Sequence, residues 1–348
     1  MKHIKAAKGI DGNKFPSEFR YDPLTGDWTV IASGRAKRPE TFQSNKKKRK
    51  KEIDNCPFCN PENLKYKTEV ITNNHQVAPD DDLPSDWKVV SIPNKFPAFL
   101  PEDDLNQKTK GPYKKMNAVG FHEVIVTRGH KKAMGMMSIE CVKAVFQMFR
   151  NRFSVLKKKK NVNYISIFHN HGKGAGASIN HPHSQLITTP LIDIDLKNNL
   201  RIAKEYEEKK SSCLLCDIRD LEKNEGSRVV YENPEFLVFC PYASKTAFQL
   251  MIVPKKHMAK FEEIPETHLE FLADSFQQAL AKINKGVGDP DYNFYLHTAP
   301  CDGRSHDYYH WYWTILPRTS SFAGFEFGAK MEISTVKPEV AAKYLKKI

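Results

Sequence analysis

The chain has 348 residues, 40% of them hydrophobic, enough to bury a core and to fill two units of ordinary size. No apolar run approaches the ~20 residues of a membrane span, and no signal-peptide stretch opens the chain, so the expectation is a cytoplasmic protein with no membrane partner. A formal net charge of +13 raises the question of nucleic acid. The lysine-rich runs Lys46 to Lys51 and Lys157 to Lys160 carry no interleaved aromatics, however, and read as solvated surface that also draws in nucleotides and sugar phosphates.

In chain order, residues 1 to about 15 read as a tail. Arg20 to Asp27 then turns into a strand, Trp28 to Ala32, that arrives at Arg35-Ala36-Lys37-Arg38-Pro39. Cys56-Pro57-Phe58-Cys59 is the first of two Cys-x-x-Cys pairs among seven cysteines, a spacing that in a cytosolic chain means metal binding or redox chemistry before disulfides. Cys141, Cys240 and Cys301 read as buried small hydrophobes. Val89 to Ile92 is a strand followed by Asn94-Lys95-Phe96-Pro97, and Phe121 to Thr127 is another. From Ser138 to Leu156, Val142, Val145, Phe149, Phe153 and Leu156 recur at helical spacing and predict a helix packed on a sheet.

The most informative stretch runs from Phe168 to Pro190. Gly172, Gly174 and Gly176 follow a strand, Asn163 to Phe168, and suit a turn whose N–H groups face an anion. His181-Pro182-His183-Ser184-Gln185 comes next. In a strand His181, His183 and Gln185 share one face, because side chains alternate with period two. An imidazole with a reference pKa of ~6.5 is largely unprotonated near neutral pH, free either to attack phosphorus or to bind a metal.

After a charged connector at about 191–212 the pattern repeats. Cys213 to Cys216 answers Cys56 to Cys59, and Phe248 to Val253 answers Phe121 to Val126, with His257 in the place of His130. A second helix spans Leu269 to Ile283. Tyr292 to His297 answers the strand before the glycines, and His310 to Pro317 is expected to answer His183 to Pro190 at a common offset of 127. Such self-similarity predicts duplication of one α+β unit. Trp311 and Tyr312 then stand for Ser184 and Gln185, so the second copy is not expected to be catalytic. Pro338 to Ile348 closes the chain as a short helix.

These residues resemble the galactose-1-phosphate uridylyltransferases, a branch of the histidine-triad superfamily. The resemblance rests on Phe168-x-Asn170, Ser178 and His181 to Gln185, and on the Arg35 to Pro39 run, Asn94-Lys95-Phe96 and Gly324-Phe325-Glu326. It implies an α+β fold of two tandem histidine-triad-like units, residues 16–195 and 196–348, each an antiparallel sheet with a packed helix. It implies His183 as nucleophile, with Gln185 and Ser178 as catalytic helpers. The implied substrate-binding set is Arg35, Arg38, Phe58, Asn94, Phe96, Phe168, Asn170, Phe325 and Glu326, and part of it crosses a homodimer interface. Two structural zinc sites are implied, Cys56, Cys59, His130 and His181 in the first unit and Cys213, Cys216, His257 and His310 in the second. Iron is the alternative at the second, and His297 or His306 could replace a ligand there.

The activity implied is transfer of UMP from UDP-glucose to galactose 1-phosphate through a nucleotidyl-histidine. Ser184 and the second Cys pair are shared with relatives that transfer AMP from ADP-glucose to phosphate, which is the alternative. Lys95 replaces the family's common aspartate, Ser320 a frequent lysine and Glu332 a later glutamine, so base and hexose choice stay open.

Overall fold

The computed structural model describes residues 17–35, 56–73, 77, 81–130, 132–320 and 323–348. The first half of the chain supplies β1 (Ser17–Tyr21), β2 (Trp28–Ala32), β3 (Glu69–Ile71), β4 (Val89–Pro93), β5 (Lys108–Lys110), β6 (Tyr113–Lys115), β7 (His122–Thr127), α1 (Ile139–Leu156), β8 (Tyr164–His171) and β9 (His183–Thr189). Two helices, α2 (Ile194–Lys210) and α3 (Leu214–Glu225), lead into β10 (Val229–Glu232), β11 (Phe236–Phe239), β12 (Leu250–Pro254), α4 (His268–Val287), β13 (Tyr292–His297) and β14 (Tyr312–Pro317). The chain ends with α5 (Gly324–Ala329), β15 (Ile333–Ser334) and α6 (Pro338–Lys346). No helix among the described residues is long and apolar enough to cross a membrane.

Ten strands form one antiparallel sheet in the order β10-β11-β12-β14-β13-β8-β9-β7-β4-β3. Each half contributes five strands in equivalent order, and the halves join edge to edge where β8 pairs with β13, Asn170 opposite Asn293. The duplication expected from sequence is therefore present, as two half-sheets fused into one. Fusion removes the exposed edge that each unit would otherwise present.

Helices α1 and α4 cover one face of this sheet and meet each other there. Ser138 caps α1 by accepting from Cys141 N–H, and the apolar positions that follow at helical spacing are all buried. α4 ends at Gly288, whose φ of 82° lies in the left-handed region that favours glycine. Between them Phe146, Phe149, Phe276, Phe294 and Trp313 are fully buried, with Phe146 and Phe276 ring centres 4.6 Å apart. Each such side chain contributes about 1.5–3 kcal/mol by leaving water. The helices thus belong to the core face, and the opposite face of the sheet is left for chemistry.

Three expectations change. The charged connector is a helix, α2, because Leu196, Leu200 and Ala203 make a narrow apolar stripe that a charge count conceals. Of the three single cysteines only Cys240 is buried, while Cys141 and Cys301 are partly exposed. The repeat offset also does not hold throughout. His257 follows His130 by 127 positions, but the cluster geometry places His310 at the station of His181, 129 positions on. Tyr312, not His310, therefore stands where His183 stands, and Thr314 stands where Gln185 stands. Two extra residues in the second half, after β13, shifted the correspondence.

Candidate active site and metal centres

The first metal cluster joins the loop at Cys56 and Cys59, His130 beyond β7 and His181 before β9. Their ligand atoms all lie within 4.8 Å of one another. Cys59 Sγ is 3.1 Å from His130 Nδ1 and 3.5 Å from His181 Nδ1, and Cys56 Sγ is 3.5 Å from His181 Nδ1. His181 Nε2 donates to Thr127 O at 2.6 Å, which leaves Nδ1 as the ligand atom. Burial pushes the His181 pKa down to about 4, keeping the ring neutral as ligation requires. Two sulfurs and two nitrogens at this spacing fit a tetrahedral zinc ion.

The second cluster repeats this arrangement with Cys213, Cys216, His257 and His310. Cys216 Sγ is 3.5 Å from His257 Nδ1 and 3.4 Å from His310 Nδ1, and His257 Nε2 donates to Asp307 O at 2.7 Å. Neither His297 nor His306 joins it. His297 stacks on Tyr312, and His306 bonds Asp302 and Tyr308.

Two residues beyond the first cluster, at the start of β9, is His183, buried with only 8% exposure. Its Nδ1–H donates to the backbone oxygen of His181 at 2.8 Å, so the unprotonated nitrogen is Nε2. Burial lowers its pKa and favours the neutral, nucleophilic ring. Phe58 packs on that ring at 5.1 Å between centres and is itself buried, so it holds the imidazole in place more than it offers a free surface.

The strand register brings together what the sequence grouped. Phe168 lies directly opposite Gln185, so Phe168 and Asn170 share the face of His183 and Gln185. Phe168 and Asn170 also line a cavity of about 420 Å³ that continues past the β8–β13 junction to Tyr295, His297 and Arg318. Asn94 and Phe96 lie just beyond β4, Phe96 being 82% exposed. Ser178 is exposed and makes no side-chain hydrogen bond among the described residues.

Other expected members lie elsewhere. Phe325 and Glu326 sit on α5, away from that cavity, and the Glu326 carboxylate accepts from Ala323 N–H as part of the helix start. Arg35 is placed by its backbone alone, in a short helical turn after β2, and Arg38 and the Lys46 to Lys51 run lie outside the described residues.

The glycine loop is not an open anion cradle. The N–H of Gly174 donates to Asp291 Oδ2 at 2.7 Å, and those of Ala175, Gly176 and Ala177 bond Gly172 O and Lys173 O. The glycines serve the turn instead. Gly172 and Gly176 have φ of 85° and 89°, and a Cβ on Gly174 would stand 2.6 Å from Asp291.

Sequence reasoning missed the residues that hold these groups. Asn293 on β13 donates to Asn170 Oδ1 at 2.7 Å and Ala175 O at 2.8 Å, and accepts from Arg318 Nε at 2.7 Å. Behind the sheet His169, buried and held neutral chiefly by burial, meets Ser184 Oγ at 3.1 Å, which gives Ser184 a partner that a glycine would lack. His122, at the start of β7, touches Gln185. The signal available was alternation alone: His122 lies in register with the strand face that carries Gln185.

Comparison with known proteins finds relatives over both halves of the chain. Residues 11–192 match the family model for the N-terminal domain of galactose-1-phosphate uridyl transferase, and residues 199–345 match the model for its C-terminal domain. The chain is 28% identical to an ADP-glucose phosphorylase of Arabidopsis thaliana, covering 99% of this chain and 98% of the relative. It is 26% identical to a galactose-1-phosphate uridylyltransferase of Thermotoga maritima, covering 94% and 98%. The crystal structure of an Arabidopsis thaliana ADP-glucose phosphorylase with bound ADP-glucose superposes with a TM-score of 0.80 at 25% identity, over 96% of this chain and 99% of that one.

Proposed function

We propose that this chain, which belongs to the galactose-1-phosphate uridyl transferase family, is a ping-pong nucleotidyltransferase that takes AMP from ADP-glucose onto His183 and passes it to inorganic phosphate. The observation that carries the reaction class is the His183 ring, its Nδ1–H tied to the His181 carbonyl and its Nε2 left to attack. Nε2 forms a bond to the α-phosphorus as the bond to the glucose 1-phosphate oxygen breaks. Phosphate oxygen then attacks the same phosphorus, the P–N bond breaks, and ADP leaves.

Transfer of this kind depends on positioning and on stabilising charge at phosphorus. Gln185 supplies an amide on the nucleophile's face, and Asn170 offers its NH₂ because Asn293 holds its oxygen. Ser178, Arg35 and Arg38 are assigned to the phosphates, Phe58, Asn94, Phe96 and Phe168 to the nucleoside side. Phe325 and Glu326 are assigned to the sugar of the neighbouring subunit in a homodimer, since neither lines the cavity beside Asn170 within one chain. The Cys56, Cys59, His130 and His181 set would hold zinc and fix the strand that carries His183. Cys213, Cys216, His257 and His310 would hold a second zinc. The catalytic half is assigned to residues 16–195 and the supporting half to 196–348.

Adenylyl transfer is preferred because the similarity to the ADP-glucose phosphorylase spans the whole chain, and because Ser184, the residue shared with the ADP-glucose relatives, is tied into the sheet by His169 at 3.1 Å. Transfer of UMP from UDP-glucose to galactose 1-phosphate is the second reading, favoured by the match to the Thermotoga enzyme. Incubation with ADP-glucose or UDP-glucose labelled at the α-phosphorus separates them. Label from ADP-glucose, acid-labile and released as ADP by phosphate, is expected. Label from UDP-glucose alone, released as UDP-galactose by galactose 1-phosphate, supports the second reading. Absence of label from both overturns the class.

A further inference from the structure

His122 stands between the 94–98 segment and the strand that carries the nucleophile. We propose that it is a positioning residue for nucleotidyl transfer: it orients the Gln185 carboxamide and ties that orientation to the 94–98 segment. This role rests on the function proposed above.

The argument starts from a donor whose identity is fixed. Ala98 backbone N–H donates to His122 Nδ1 at 3.2 Å. A peptide N–H can only donate, so Nδ1 is the acceptor and the neutral ring carries its proton on Nε2. That Nε2–H lies 2.8 Å from Gln185 Oε1 and donates to it. With its oxygen engaged, Gln185 turns its NH₂ away from His122, and that NH₂ is the donor available to a phosphate oxygen beside His183. Without the ring, no other neighbour among the described residues fixes which end of the carboxamide faces the substrate. The face neighbours of Gln185 are Val124 and Phe168 opposite it and His183 two residues before it. Neither Val124 nor Phe168 can donate, and the one N–H of His183 goes to a backbone oxygen.

The same ring reads the other segment. Asn94 Oδ1 accepts from Phe96 N–H at 2.9 Å, so the amide nitrogen of Asn94 packs 3.0 Å from Nε2 as a second donor and makes no hydrogen bond to the protonated Nε2. Asn94 backbone N–H also bonds His122 O at 2.8 Å. Two hydrogen bonds, from Asn94 N–H to the backbone oxygen and from Ala98 N–H to the ring, therefore converge on one residue. A shift of the 94–98 segment on binding a nucleoside moves the hydrogen bond that sets Gln185. If His122 only packed, one face of a half-buried ring would suffice, and Ala98 N–H and Gln185 Oε1 would not both be bonded by one tautomer.

The experiment is a double-mutant cycle on the first half-reaction, read as the single-turnover rate of nucleotidyl-enzyme formation with whichever of ADP-glucose or UDP-glucose labels the wild type. His122→Phe keeps the ring volume and removes both nitrogens. It is expected to slow labelling about as much as Gln185→Ala, roughly 10²-fold by analogy with loss of one transition-state donor, with KM little changed. The double variant is expected to fall no further. His122→Gln, whose amide nitrogen reaches where Nε2 stood, is expected to recover most of the rate. Metal content and melting temperature of each variant show whether it has folded. Wild-type rate in folded His122→Phe beside a slow Gln185→Ala overturns the role of His122, as does a double variant whose losses multiply. Failure of the wild type to label at all overturns the function itself, a different result.

Discussion

The two halves of the sheet present the same face with different contents. Where the first half has Asn170, His183 and Gln185, the second has His297, Tyr312 and Thr314. In the first, His183 keeps Nε2 unbonded among the described residues, and Asn170 and Gln185 have one end of each amide held by a neighbour. In the second, Tyr312 stacks on His297 with ring centres 4.2 Å apart and planes 14° from parallel, and His297 bonds Thr314 at 3.2 Å. Burial also holds the Tyr312 phenol protonated, so it is no nucleophile. The difference shows how a duplicated unit loses chemistry while keeping its fold. The metal cluster, the strand register and the packed helix persist, and aromatic stacking fills the reactive face. The second half still serves the first, because Asp291 and Asn293 reach across the β8–β13 junction to hold the glycine loop and Asn170.

The largest test of this contrast removes the reactive group at each of the two equivalent positions. His183→Ala is expected to lower turnover by roughly 10⁴-fold or more and to abolish labelling of the protein. Tyr312→Phe is expected to leave labelling unchanged. Both variants should keep their metal, which elemental analysis checks. A Tyr312→Phe variant as inactive as His183→Ala would mean that the second half shares in the chemistry.

A smaller effect should separate the two clusters. Cys59→Ser and Cys216→Ser are each expected to lose about one zinc of two and to melt at lower temperature, because ligand binding and folding are coupled. Only Cys59→Ser should lose turnover, by an estimated 10- to 100-fold, since His181 is two residues from His183 while His310 is two residues from Tyr312. Substrate affinity should fall less than turnover. Melting temperature, zinc content and steady-state kinetics on the same preparations decide this. Equal activity losses in both variants would show that the second cluster also shapes the site.

Much of this was legible before the structure. The Cys-x-x-Cys pairs and the His181 to Gln185 run each carry their chemistry within a few residues, and two amphipathic helices announce themselves by period. What the sequence left hidden depends on register between distant strands. The offset of 127 held for His130 and His257 and failed by two at His310, because a loop after β13 is longer and only pairing reveals it. Gly172, Gly174 and Gly176 signalled a turn correctly, yet not that Asp291, more than a hundred positions away, takes the N–H a phosphate would use. His122 carried no motif, and its partners Gln185 and Ala98 come from two other segments.

The smallest effect concerns His297, which occupies in the second half the station that Asn170 holds in the first. Burial, with Lys245 nearby, pushes its pKa down to about 3. In the unfolded chain the value returns to ~6.5. Below that pH the unfolded state takes up a proton that the folded state refuses, so the stability linked to His297 is fully present above about 6.5 and is lost as the pH falls toward 3. At pH 5 the loss is on the order of 2 kcal/mol, and at neutral pH it vanishes. His297→Asn copies the first half's residue and has no proton to bind. Urea unfolding of wild type and variant at pH 7 and pH 5 isolates the contribution, because every other histidine is common to both. A smaller drop in midpoint for His297→Asn is expected. Equal drops would mean that His297 accepts its proton in the folded protein, and that the stacked face of the second half is open enough to admit solvent.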